Sequence, residues 1–131
     1  MSDRFLAIIM ANPDNYFASD DFLHSSPQVI KDIVSVDLEM DEMDIFKRCL
    51  QWAEEECKKQ KEPVNEENMT KFMRPFIHQF AFPDMKFGEF AKFPCAAGVL
   101  TPEEQANTFR YIAGCVTETP FRKKARHENA W

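Results

Sequence analysis

Apolar residues recur at helical spacing along most of the chain, and no segment alternates strictly between apolar and polar positions. The clearest helix starts at Asp41, a good N-cap, and Pro63 ends it. Ile45, Cys49 and Trp52 lie on one face at helical spacing. Acidic side chains in the first turn and lysines after the last suit the helix dipole. The pattern predicts an all-α fold, a single small bundle of about six or seven helices packed as helical hairpins.

Cap residues and prolines mark where the other helices begin. The predicted elements are a short helix over residues 3–11, a helical turn capped by Asn12, a helix from Ser26 to about Ser35, a helix capped by Asn65, a short helix over residues 86–92, and a helix opened by the capping box of Thr101 and Glu104. Pro75 interrupts the apolar stripe of the fourth of these helices and is expected to kink or split it. From Val116 onward we expect little order.

Length and composition fit one helical domain. The chain has 131 residues, 44% of them hydrophobic, with thirteen Phe and only three Gly. Many large rings and few glycines favour packed helices over a turn-rich sheet fold. A formal net charge of −6 argues against a nucleic-acid surface.

Charge divides the chain into two parts. Residues 1–120 carry a balance of −9, whereas residues 121–131 carry +3 from Arg122, Lys123, Lys124 and Arg126 against Glu128. We therefore predict a helical domain over residues 1–116 and a basic tail or linker over residues 117–131, solvated and mobile. Its aromatic residues, Phe121 and Trp131, are exposed candidates for docking.

The cysteines and histidines do not form a metal-binding pattern. Cys49 and Cys57 are eight residues apart on one helix, about 12 Å at 1.5 Å per residue, too far to share an ion. The histidines, His24, His78 and His127, lie alone in the sequence. We predict no metal site and no cofactor. Cysteines without a disulfide framework, no apolar run of about 20 residues and no secretory signal predict a reducing, cytoplasmic location.

Residue patterns for catalysis are also missing, so we predict that the chain is not an enzyme and has no catalytic residues. Neighbouring carboxylates, as in Glu54-Glu55-Glu56, point in different directions on a helix and are typical of a solvated face. Each cysteine lies in an apolar context, which favours an inert thiol. The glycines, Gly88, Gly98 and Gly114, are isolated and form no phosphate-binding loop.

The aromatic residues allow two interpretations. Trp52, beside Ala53 on the apolar stripe, is expected to anchor the core, and the alternative is a Trp that stacks on a ligand. The set Phe72, Phe76, Phe80, Phe87 and Phe90 is expected to be core, and the alternative is an exposed groove for a partner. The sequence alone assigns no protein-binding residues.

Several motifs occur in a recognisable order between Phe22 and about Phe109. They are Phe22-Leu23, Ser26-Pro27, the stripe from Val29 to Val34, Glu42 to Phe46, Trp52-Ala53 with Glu56-Cys57, Phe82-Pro83-Asp84-Met85, Glu89-Phe90-Ala91, and Gly98-Val99-Leu100-Thr101 with Glu104. This region resembles the BACK domain, the helical module that follows a BTB domain, in the group of BTB/POZ proteins that lacks kelch repeats.

The chain departs from that family at two points. Ala81 stands where the family usually has an Arg two residues before the Pro, so any polar contact of that Arg is missing. The residues before Phe22 are too few for a BTB domain, so the resemblance leads us to expect a truncated N-terminal edge. Residues 3–18 would be the remainder of the 3-box, the helices that assist cullin-3 binding in the family.

The resemblance implies a non-catalytic scaffold or spacer in a BTB-type substrate adaptor for a cullin-3 ubiquitin ligase. A BTB domain would bind cullin-3, and a neighbouring domain would hold the ubiquitination substrate, with the basic tail starting the linker to it. The alternative is a free-standing interaction domain that binds a partner helix through a Phe-rich surface, which requires a large exposed apolar patch. A third possibility, a small enzyme, requires a pocket with perturbed groups.

Overall fold

The computed structural model of the protein describes residues 3–126, and within that range it contains only helices and their connections. The α-helices are α1 (Asp3–Ala11), α2 (Pro13–Phe17), α3 (Asp20–Leu23), α4 (Pro27–Val34), α5 (Glu42–Lys59), α6 (Glu66–Met73), α7 (Phe87–Lys92) and α8 (Pro102–Ile112). Two 3-10 helices, Arg74–Gln79 and Phe82–Asp84, connect α6 to α7. The predicted all-α fold is confirmed, with one or two helices more than expected.

The predicted cap residues start their helices through side-chain hydrogen bonds. The accepting side chains are Asn12 for the amide of Asn15, Ser26 for that of Val29, Asp41 for that of Asp44, Asn65 for that of Asn68, and Thr101 for that of Glu104. Ser19 caps α3 in the same way, through the amide of Phe22. This one-turn helix was not predicted because four residues are too few to show a period.

Helix α5 lies in the core of the fold. Trp52, Ala53 and Cys49 on it are fully buried, and the Trp52 indole N–H donates to the Ser25 carbonyl at 2.8 Å. The Trp52 ring also packs against Phe76, with the centroids 5.8 Å apart. The interpretation of Trp52 as a core anchor is confirmed.

Pro75 splits the stripe that follows Asn65, as predicted. Helix α6 ends at Met73, and the chain continues as a 3-10 helix over Arg74–Gln79. Because proline has no amide hydrogen, the α-helical bond to the residue four positions earlier cannot form there. The change of helix type directs Phe76 and Ile77 into the core.

The Phe set divides between core and surface. Phe76, Phe80 and Phe90 are buried and Phe72 is half-buried, as the core interpretation predicts. Phe87 is 53% exposed, so the prediction is wrong for this residue. Phe87 lies one turn before Phe90 on a short helix, and its ring meets that of Phe109 at a centroid distance of 4.6 Å.

The chain after α8 stays with the helices instead of extending into solvent. Phe121 is 4% and Arg126 is 2% exposed, so the expectations of an exposed Phe121 and of little order from Val116 onward are wrong for these residues. Glu42 and two backbone carbonyls accept hydrogen bonds from Arg126, and the rings of Phe82 and His78 pack against Phe121. The sequence does not mark these contacts. Trp131, Glu128 and His127 lie outside the described residues, and the domain limits stay a prediction.

Candidate protein-binding sites

An apolar groove lies between α1 and the segment from α2 to α4. Its volume is about 590 Å³. The lining residues are Phe5, Ile8, Ile9, Asn12, Asn15, Tyr16, Ser19, Asp21, Ser25 and Val29. Ile9 anchors α1 because it is buried, whereas Ile8 is 63% and Phe5 40% exposed. The groove can therefore accept apolar side chains from a partner without any change in the core.

Tyr16 forms the centre of the groove wall. Its ring meets Phe5, Phe17 and Phe22 edge-on at centroid distances of about 6 Å. The Ser25 hydroxyl donates to the Asp21 carbonyl at 2.9 Å, so the Tyr16 hydroxyl must be the donor in its 2.5 Å contact with Ser25.

The groove wall is tied to the core by Ser25. The carbonyl of Ser25 accepts the indole N–H of Trp52, while its hydroxyl contacts Tyr16. One residue therefore joins α5 to the lining of the groove. The wall is preorganised, which lowers the entropic cost of binding a partner there.

Glu104 joins α8 to the first 3-10 helix. Both of its oxygens accept from the Arg74 guanidinium at 2.8 Å, one accepts the Thr101 amide at 3.0 Å, and the other lies 3.0 Å from His78 Nε2. Burial alone would raise the pKa of Glu104, but the hydrogen bonds from Arg74, Thr101 and His78 outweigh it and lower the pKa to about 2. A carboxylate held ionised in this way cannot serve as a general acid near neutral pH.

A second polar cluster surrounds Glu42 at the start of α5. One oxygen of Glu42 accepts the Ala81 amide at 3.0 Å, and the other lies 3.2 Å from Nε of Arg126. Both side chains are buried. The sequence suggests only that Glu42 suits the helix dipole, so this pair was missed.

The cysteines differ more than the sequence predicts. Burial raises the thiol pKa of Cys49, Cys57 and Cys95, as expected of inert cysteines. Cys115 is exposed after the end of α8, so the prediction of an apolar context is wrong for this residue. The helix ends earlier than the apolar pattern suggests because Gly114 adopts a φ of 81°. The backbone amide of Cys115 then donates to the Arg110 carbonyl at 2.8 Å, which closes the end of the helix.

The structure brings no candidate metal ligands together. Among residues 3–126, no group of three or more His, Cys, Asp or Glu side chains is arranged to hold an ion. His24 and His78 lie on different elements, and His127 is outside the described residues. None of the described helices is both long and apolar enough to cross a membrane.

Sequence comparisons give relatives of one kind. Over 128 residues, which are 96% of this chain, it is 29% identical to human and to mouse BTB/POZ domain-containing protein 3. Over 110 residues it is 30% identical to mouse BTB/POZ domain-containing protein 6. The chain spans 24% and 20% of the length of these relatives, respectively.

No family model matches the chain, and no solved structure matches it significantly. The BACK domain is not named in the comparisons, and that assignment stays a prediction. The relation to the BTB/POZ group, which the motifs predict, is confirmed. Over nearly its whole length, this chain is therefore similar to one segment of BTB/POZ domain-containing protein 3, and over 83% of its length to one segment of BTB/POZ domain-containing protein 6.

Proposed function

We propose that this chain is a BACK-type helical spacer in a BTB-type substrate adaptor for a cullin-3 ubiquitin ligase. The observation that carries the proposal is the similarity to a BTB/POZ protein across 96% of the chain, whose described residues form helices and no strands. The spacer would act in the cytoplasm without catalysis. Its partners would be cullin-3, through a BTB domain of the parent protein, and a ubiquitination substrate, through a neighbouring domain.

A non-catalytic role agrees with the polar clusters. The carboxylate of Glu104 is fully engaged by Arg74, Thr101 and His78, and Glu42 by Ala81 and Arg126. Both carboxylates join separate elements of the fold, and Glu42 also lines a cavity of only about 140 Å³. Buried carboxylates that hold helices together through hydrogen bonds are expected in a scaffold.

Within this proposal, the groove along α1 receives an apolar segment of cullin-3. Six of its lining residues, from Phe5 to Tyr16, lie in residues 3–18, which the resemblance assigns to the remainder of the 3-box. Phe5 and Ile8 offer exposed apolar side chains one turn apart, and Asp21 lies at the polar edge. The occupant would therefore be an apolar stretch with a basic residue close to Asp21.

A binding titration tests the function. The N-terminal half of cullin-3 is titrated against this chain alone and against the chain fused behind the BTB domain of mouse BTB/POZ domain-containing protein 3. We expect weak or no binding to the chain alone and a Kd of about 1 μM or tighter for the fusion. Submicromolar binding by the chain alone, or a fusion no tighter than its BTB domain alone, would contradict the proposal.

A matched pair of variants tests the groove. Ile8→Asp places a charge in the groove, and Val64→Asp places one on an exposed apolar residue in the loop before α6. In the fusion, we expect Ile8→Asp to weaken cullin-3 binding at least tenfold, about 1.4 kcal/mol, and Val64→Asp to leave it unchanged. Equal affinities for both variants would remove the groove from the proposal.

The second candidate is a free-standing domain that binds a partner helix. Phe76, Phe80 and Phe90 are buried, so the Phe set does not form one continuous surface, and the groove along α1 would serve instead. Sequencing the transcript on the 5′ side of the Met1 codon separates the two candidates. An in-frame BTB domain supports the spacer, and a stop codon without one supports the free-standing domain.

A further inference from the structure

Two arginines near the end of the described chain bind the same two backbone carbonyls. Val34 O accepts from Arg126 Nη1 at 2.8 Å and lies 3.5 Å from Arg122 Nη2. Gln79 O accepts from Arg122 Nε at 2.8 Å and from Arg126 Nη2 at 2.5 Å. These carbonyls end α4 and the first 3-10 helix, where acceptors have no partner within the helix and the dipole favours cations.

The charges at this site depend on one another. Burial lowers the pKa of the Arg126 guanidinium and Arg122 adds to this effect, while Glu42 opposes it. Glu42 is the buried carboxylate in this cluster, and its second oxygen is already held by the Ala81 amide. Removal of Arg126 would therefore leave a buried carboxylate without its cation.

The segment has further attachments between the two arginines and just before them. The Phe121 ring meets Phe82 and His78 edge-on, both at centroid distances of 5.2 Å. The Arg122 amide donates to the His78 carbonyl at 3.0 Å, and the Ala125 amide donates to Asp84 at 2.8 Å. A flexible linker would make no such set of contacts with one surface.

We infer that residues 121–126 form a strap that fixes the point and direction at which the chain leaves the helical body. Its arginines, Arg122 and Arg126, bind the carbonyls at the ends of two helices, and the Phe121 ring packs against the core. The connection to a domain joined after this strap would begin at a residue with a fixed position, and not in a flexible linker. The inference rests on the proposed spacer function, because a spacer positions its neighbour only where the connection is firm.

Amide hydrogen exchange of the whole 131-residue chain, followed by NMR, tests the strap directly. We expect the amides of Arg122 and Ala125 to exchange at least about 100-fold more slowly than unprotected amides, as folded segments do. Exchange within tenfold of the unprotected rates would overturn the inference. The measurement needs no cullin-3, so its failure would leave the spacer function itself untouched.

Two charge-neutralising variants show whether the arginine side chains hold the strap. Arg122→Gln removes the contacts to Val34 and Gln79 without leaving a buried charge, and Lys124→Gln makes the same change on an exposed neighbour. We expect Arg122→Gln to lower the protection of the Ala125 amide at least tenfold while amides in α5 keep theirs, and Lys124→Gln to change neither. If the protection of amides in α5 falls by the same factor, the strap opens only when the helices unfold, and this result also supports a fixed strap. Unchanged protection in Arg122→Gln, or an equal loss in Lys124→Gln, would overturn the role of the arginine.

Discussion

Arg126 and Glu42 are 84 residues apart in the sequence, yet Nε of the arginine lies 3.2 Å from the Glu42 carboxylate in the interior of the protein. Glu42 opens α5, so the pair joins the end of the described chain to the central helix. The Arg126 guanidinium also binds the carbonyls of Val34 and Gln79. A residue expected in a solvated tail therefore connects three elements of the fold.

Loss of this cation should destabilise the protein strongly. Arg126→Met leaves the Glu42 carboxylate buried without its partner, and such changes cost about 3–5 kcal/mol. In the double variant Glu42→Gln/Arg126→Met no charge is left unpaired, so we expect it to be more stable than Arg126→Met alone. Urea denaturation followed by circular dichroism gives the free energy of unfolding of each protein.

Lys124→Met controls for the loss of a positive charge in the same segment. Its side chain is exposed, and we expect a change within about 0.5 kcal/mol of the parent protein. If Arg126→Met were as stable as Lys124→Met, the pair would not exist in solution. If the single and double variants were equally unstable, Glu42 would not be its partner.

The ionised Glu104 makes stability depend on acid pH. A carboxylate with a lowered pKa stabilises the folded state above its unfolded pKa of about 4.5, and this stabilisation is lost as the pH falls toward 2. At pH 7, Glu104→Gln should cost on the order of 2 kcal/mol, because the charged hydrogen bonds with Arg74 are lost.

Unfolding free energies at pH 7 and pH 2.5 check the sign of this effect. The gap between the parent protein and Glu104→Gln should shrink at the lower pH, because Glu104 is then protonated in the unfolded state and unfolding is favoured by this proton uptake. Glu103→Gln, one residue earlier on the exposed face, is the control and should shift neither value. A gap that stayed constant between the two pH values would contradict an ionised, paired Glu104.

Local features of the fold could be predicted because local chemistry causes them. Caps such as Asp41 and Thr101 act within one turn, and Pro75 breaks a helix through its own missing amide hydrogen. The burial of Trp52 follows from its place on the apolar stripe of α5. These predictions need no knowledge of what lies across the core.

The remaining features depend on contacts between distant residues. Glu42 looks like an ordinary first-turn acid, and Arg126 looks like part of a basic tail, until the fold places them together. The groove was missed for a related reason, because whether Ile8 or Ile9 faces inward depends on how α1 packs. Hydrophobic periodicity identifies the apolar face of a helix but not how much of that face a neighbouring helix covers.

Gly98 and Gly114 both have a positive φ, but only at Gly98 would an added side chain be crowded by a neighbour. Comparing the two therefore separates backbone strain from crowding of the side chain. Gly98 has a φ of 78° and Gly114 a φ of 81°. A methyl group at Gly114 meets nothing within 4 Å, whereas at Gly98 it would lie 2.3 Å from the Glu66 carboxyl group. Gly114→Ala should therefore cost about 1 kcal/mol from the left-handed backbone alone.

Gly98→Ala should cost a similar amount, because the exposed end of the Glu66 side chain can move away. Urea denaturation of both variants measures the difference. The double variant Glu66→Ala/Gly98→Ala removes the crowding and isolates the backbone cost at Gly98. A Gly98→Ala variant that is several kcal/mol less stable than Gly114→Ala, and that Glu66→Ala does not rescue, would show that the loop at Gly98 tolerates no side chain.

Thiol labelling of the native protein should detect one fast cysteine. Cys115 is exposed, whereas burial raises the thiol pKa of Cys49, Cys57 and Cys95 and lowers their thiolate fraction. With a chromogenic disulfide reagent at pH 7.5, we expect one thiol per chain to react at least about tenfold faster than the rest. Cys115→Ser should abolish the fast phase, and Cys95→Ser should retain it. A fast phase that survived Cys115→Ser would mean that one of the other cysteines becomes accessible in the native protein.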